Sequence, residues 1–91
     1  MKNFLVVTQR GPGFTPEILA RHIDYLNNLR TKNQVLFSGS FSDYHGGAAV
    51  FRAGHRTEIE EILANDPIIA EGASTIVVLQ EWNIREVDWS N

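Results

Sequence analysis

Apolar residues along the chain change period in an orderly way, and each change marks an element. Phe4 to Thr8 is a short β-branched run that gives way to Gly11-Pro12-Gly13, which predicts a buried strand followed by a turn. Over residues 17 to 32 the spacing is helical: Ile18, Leu19, Ile23, Tyr25, Leu26 and Leu29 form one stripe, and Asp24, Asn27, Asn28 and Thr31 take the opposite face. Thr15 suits the N-cap, Pro16 the first helical position and Glu17 the positive end of the helix dipole. Asn33 is expected to end the helix in the left-handed conformation. Val35-Leu36-Phe37-Ser38 and Ala48-Ala49-Val50-Phe51 predict a hairpin, joined by the polar, glycine-rich run from Asp43 to Gly47. Thr57 and Glu60 have the spacing of a capping box and should open a short helix that turns Ile59, Ile62 and Leu63 inward until Pro67 ends it. Beyond Gly72, Ser74 to Trp82 is the longest strand signal.

The order strand, helix, strand, strand, helix, strand predicts an α+β fold of ferredoxin-like βαββαβ pattern, a four-stranded antiparallel sheet with two helices on one face. Strands one and four carry apolar residues at both parities, as Leu5 and Val7 beside Phe4 and Val6, or Ile76 and Val78 beside Val77 and Leu79, show. A sheet with one wet face should alternate, and two short helices cover only one face. A second copy packed sheet against sheet would cover the other, which predicts a homodimer or higher homo-oligomer built as a dimeric α+β barrel. Residues 1–91 read as a single domain, with a core over about 2–83 and a polar tail over 84–91 that carries Trp89.

Composition narrows the function classes. No cysteine is present, so disulfides and thiolate chemistry are excluded. The formal charge is −3, and no basic cluster offers a track for a phosphate backbone, so nucleic acid is not an expected partner. The apolar run after Met1 is too short for a signal-peptide core or a membrane span, and a cytoplasmic protein with no membrane partner is expected. His45 and His55 show no spacing with carboxylates that would build a metal site, and the glycines match no dinucleotide or P-loop fingerprint, so neither metal nor cofactor is expected.

The candidate chemistry centres on His22, an imidazole inside the apolar stripe of the first helix. Such a group must find a hydrogen-bond partner or line a cavity. Around it stand Tyr25-Leu26 and Leu29, then Leu36-Phe37-Ser38-Gly39, Asp43 with Gly46-Gly47, Asp66-Pro67, Gly72 and a last strand ending in Glu81-Trp82. In this order the chain resembles the YciI-like (YCII-related) family over roughly residues 2 to 83. The resemblance implies a dimeric α+β barrel related in shape to muconolactone isomerase, and a relative in the family removes chloride from a chlorinated hydroxyquinol. It places His22 at the family's helical His and Asp66 at the Asp of its Asp-Pro pair, the residues regarded as the active site there. Ser38 and Gly39 fall on the small-residue turn ending strand two, and Tyr25 and Asp43 complete the candidate substrate-binding set. Three positions depart from the family: Ser40 stands where proline is usual, Ile68 where an aromatic is usual and Asn33 where glycine is usual.

These residue types suit proton transfer. A neutral imidazole is a general base near pH 7, and an Asp on its other nitrogen fixes the tautomer and stabilises the imidazolium. Ser38 and backbone N–H groups near Gly39 would hold an enolate or phenolate oxygen. Two functions are therefore expected alternatives. One is a cofactor-free lyase or isomerase acting on a small cyclic, aromatic or lactone-like compound through His22 and Asp66, with Asp43 as the reserve partner. The other is a non-catalytic small-molecule-binding or structural homodimer in which His22 only closes a polar network, since Asp before Pro is also a common turn or cap residue. A cleft beside His22 favours the first, and a fully packed imidazole the second.

Overall fold

A computed structural model of the chain describes residues 1–86. Its elements are β1 (Lys2–Arg10), α1 (Pro16–Thr31), β2 (Val35–Ser40), β3 (Gly46–Ala53), α2 (Arg56–Ala64), α3 (Pro67–Ala70) and β4 (Ser74–Glu81). The strands form one antiparallel sheet in the order β2-β3-β1-β4, which is the ferredoxin-like α+β arrangement.

Local signals fix α1 as its sequence predicts. The Thr15 hydroxyl accepts from the Ile18 N–H at 3.2 Å, Pro16 occupies the first turn, and Asn33 takes φ 58° just past the C-cap Lys32. Alternation along β1 sends Phe4 and Val6 to the helix side, where they join Leu26 and Leu29 of α1, Val35 and Phe51 of the neighbouring strands, and Ile59 and Leu63 of α2 in one buried core. By the area rule each such side chain contributes about 1.5–3 kcal/mol relative to exposure.

Three expectations are corrected. Gly46 and Gly47 belong to β3 and not to the hairpin loop. A Cβ on Gly46 would stand 2.1 Å from the Thr8 carbonyl oxygen, and one on Gly47 would stand 2.5 Å from that of Gly39. The pair lets β3 approach both its neighbours closely. Thr57 does not cap α2: the helix begins two residues earlier in effect, with extended His55 at the N-cap and Glu58 as the acid of the first turn. Pro67, finally, does more than end α2. It opens the extra turn α3, with Asp66 as its N-cap.

The far face of the sheet is apolar but only partly for the expected reason. Register shifts leave Leu36 and Val77 without a partner residue, as bulges in β2 and β4. The bulge at Val77 turns both Ile76 and Leu79 towards the core, so part of the two-parity pattern in β4 is a break in alternation. Val78 still lies exposed beside Val77, which is 52% accessible. Trp89 lies outside the described residues. No helix among the described residues is long and apolar enough to cross a membrane.

Candidate functional site

Small residues on the sheet create space beneath α1. Ser38, Gly39, Gly46, Gly47, Ala48 and Ala49 on β2 and β3 all line this space. The result is a cavity of about 300 Å³ between the sheet, α1 and α3, at the lower end of the range typical of small-molecule sites. Val6, Leu19, Leu26, Phe51 and Leu63 give it apolar walls. Ile23, on the apolar stripe of α1, is exposed because it lines this opening rather than the packed core.

His22 and Asp66 meet at the cavity wall. The imidazole Nδ1 lies 2.9 Å from Oδ1 and 2.8 Å from Oδ2 of Asp66, with side-chain exposures of 19% and 3%. Asp66 Oδ1 also accepts from the Ile68 N–H at 3.1 Å. One carboxylate thus caps α3 and anchors the histidine. Since a carboxylate only accepts, Nδ1 carries the hydrogen, and the lone pair of the neutral ring is left on Nε2. On the outer side, Arg21 of α1 pairs with Glu71 at the C-cap of α3, the two charges shifting each other's proton affinity so as to favour the ion pair. This contact ties together the two helices that hold the dyad.

The other candidates separate into two groups. Ser38 and Gly39 line the cavity. The Ser38 hydroxyl accepts from Arg30 Nη2 at 3.5 Å, which leaves its own hydrogen available. Tyr25 and Asp43 do not line it. Tyr25 donates its hydroxyl to the Ile62 carbonyl at 2.7 Å, joining α1 to α2, because its place on α1 turns it away from the opening. Asp43 accepts from the His45 N–H at 2.9 Å within the β2–β3 turn and so is not the partner of His22. Among the described residues no three His, Asp or Glu side chains gather as a metal site.

Burial and then the charge of Asp66 raise the Tyr25 phenol above the usual tyrosine value. The folded state therefore keeps this proton after the unfolded chain has lost its own. The associated stability is present below pH 10.0, the ordinary tyrosine value, and is lost as pH rises through the folded value. An ultraviolet titration should show a late-ionising phenol that Tyr25→Phe removes. Ionisation of Tyr25 at the ordinary value would contradict this.

Two residues on the cavity wall escape the sequence reading, Arg10 and Ser74. For Arg10 a signal exists: Phe4, Val6, Thr8 and Arg10 share one parity, so an inward strand face ends in a guanidinium. Ser74 gives no such signal, since a serine opening a strand is commonplace.

Fold and site together define a ferredoxin-like α+β protein with a His–Asp pair at the wall of an open cavity between sheet and helices. Residues 3–83 match the YCII-related domain, and the chain belongs to that family. Among curated proteins it is similar to the uncharacterised protein YjpA of Bacillus subtilis (strain 168), with 34% identity over 86 residues, 94% of this chain and 100% of YjpA. Among solved structures it is similar to 5-chloro-2-hydroxyhydroquinone dehydrochlorinase (TftG) from Burkholderia phenoliruptrix AC1100 in complex with 2,5-dihydroxybenzoquinone. That likeness has a TM-score of 0.65 over 93% of this chain and 95% of the other, at 18% identity, and is a likeness of fold.

Proposed function

We propose that the protein is a lyase or isomerase that moves a proton on a small cyclic, aromatic or lactone-like compound, with His22 as acid–base residue and Asp66 as its anchor. The observation that carries this reading is the His22 Nδ1 contact with Asp66 at 2.8 Å on the wall of a cavity of about 300 Å³. Nε2 takes a proton from a ring carbon beside a carbonyl, and the electron pair moves onto that carbonyl oxygen, which becomes an enolate or, where the ring turns aromatic, a phenolate oxygen. That oxygen accepts a hydrogen bond from Ser38. Return of the proton at another atom completes an isomerisation, and departure of a leaving group completes an elimination. The dehydrochlorinase named above makes chlorinated hydroxyquinols the first compounds to try.

The test is a panel of 5-chloro-2-hydroxyhydroquinone, muconolactone and related lactones, followed in heavy water by NMR. At least one should be turned over or exchange a proton with the parent protein and not with His22→Asn. Equal rates in both proteins, or no reaction across the panel, would overturn the reading.

A second copy of the chain is the proposed cover for the outer sheet face. Val77 and Val78 of β4 lie exposed next to one another, an apolar pair that a solvated sheet should not present. Light scattering should give twice the 10.3 kDa chain mass at micromolar concentration. A monodisperse monomer would contradict the barrel.

A further inference from the structure

We infer that Arg10 and Ser74 form an anion subsite, so that the ligand of the cavity is a single-ring acid carrying a carboxylate. This takes the cavity at His22 to be the reaction site, as proposed above, and adds the substrate class. The ionisable side chains on the wall are Arg10, His22 and Asp66. Asp66 is engaged by His22 and by the Ile68 N–H, which leaves Arg10 as the charge without an opposite partner among the described residues. Its guanidinium is held rather than free. It stacks over the Phe14 ring at 4.0 Å and donates from Nη2 to the Ser40 hydroxyl at 3.4 Å. A planar fork fixed in this way keeps further N–H donors for a carboxylate.

Ser74 supplies an independent observation. It faces Arg10 across the β1–β4 ladder as its register partner and lines the same cavity. The residue is 7% exposed, and its Oγ is buried without a hydrogen-bond partner among the described residues. Leaving a buried hydroxyl unpaired is unfavourable, and it is a donor beside the cavity's cation. A hydroxyl and a guanidinium at one end, with apolar walls beyond, match an acidic group on an apolar ring. A neutral ring would leave both polar groups unanswered.

Benzoate and its neutral isostere benzamide probe this directly, by NMR titration of the whole protein. Benzoate should bind the parent at least about tenfold more tightly than benzamide, the equivalent of one charge-assisted hydrogen bond. Arg10→Gln should lower benzoate affinity about tenfold while leaving benzamide unchanged, and the unchanged benzamide serves as the check on folding. Arg10→Lys should restore part of the loss, and Ser74→Ala should weaken benzoate more than benzamide. Absence of benzoate binding, equal affinity for the two probes, or an Arg10→Gln variant that binds benzoate as the parent does would overturn the subsite. His22→Asn keeps the two proposals apart: it should retain benzoate discrimination even though it abolishes proton transfer.

Discussion

Asp66→Ala is expected to cost about 2–4 kcal/mol of stability, the largest loss of any single polar substitution considered for this chain. The carboxylate is buried and serves two donors, His22 Nδ1 and the Ile68 N–H. Loss of an N-cap costs about 0.5–2 kcal/mol, and loss of a hydrogen bond to a charged group about 1.5–3 kcal/mol. The two do not add fully because they share one carboxylate. Asp66→Asn keeps an oxygen for the cap and should cost less, so the difference between the variants reports the charge. Urea melts at one protein concentration measure both, since the stability of an oligomer depends on concentration. An Asp66→Ala variant within about 0.5 kcal/mol of the parent would mean that the carboxylate anchors neither group.

His22→Asn should behave in the opposite way, with a large effect on chemistry and a small one on stability. For any compound that the parent turns over, loss of the general base should lower the rate about 10²–10⁴-fold. Stability should change by less than about 1 kcal/mol, because the cavity gives water access to the Asp66 oxygen that His22 vacates and a bridging water restores most of a hydrogen bond. The split follows from position. Both residues line the open space, but the His22 side chain is 19% exposed and that of Asp66 only 3%. A histidine kept only for structure would reverse the result, with a loss of about 1–3 kcal/mol on its removal and no reaction to lose.

Features governed by neighbours in the chain were legible from residues alone. The helical stripe, the Thr15 cap, Pro16 in the first turn and Asn33 at positive φ all depend on a few adjacent positions. The element order was enough for the four-stranded antiparallel topology. Features governed by distant approach were not. Gly46 and Gly47 look like turn glycines until Thr8 and Gly39 are placed against them. The bulge at Val77 cannot be told from a two-faced strand by periodicity, because both bring apolar residues to odd and even positions. At the site, the apolar setting of His22 and the resemblance of the Asp-Pro pair led to the two side chains that meet. In the sequence, capping by Asp66 and pairing with His22 read as alternatives, yet two oxygens allow one carboxylate to do both. Tyr25 is a candidate substrate-binding residue in the sequence, and in the structure its hydroxyl instead satisfies the Ile62 carbonyl.

In the proposed mechanism Asp66 holds the Nδ1–H of His22 and leaves an unprotonated Nε2 as the base. A long-range ¹H–¹⁵N correlation spectrum of the His22 ring reads this without any substrate. With neutral imidazole, the parent should show the hydrogen on Nδ1 and a lone pair on Nε2, and Asp66→Ala should show a mixture of tautomers. A parent spectrum with the hydrogen on Nε2, or one unchanged by Asp66→Ala, would contradict the account.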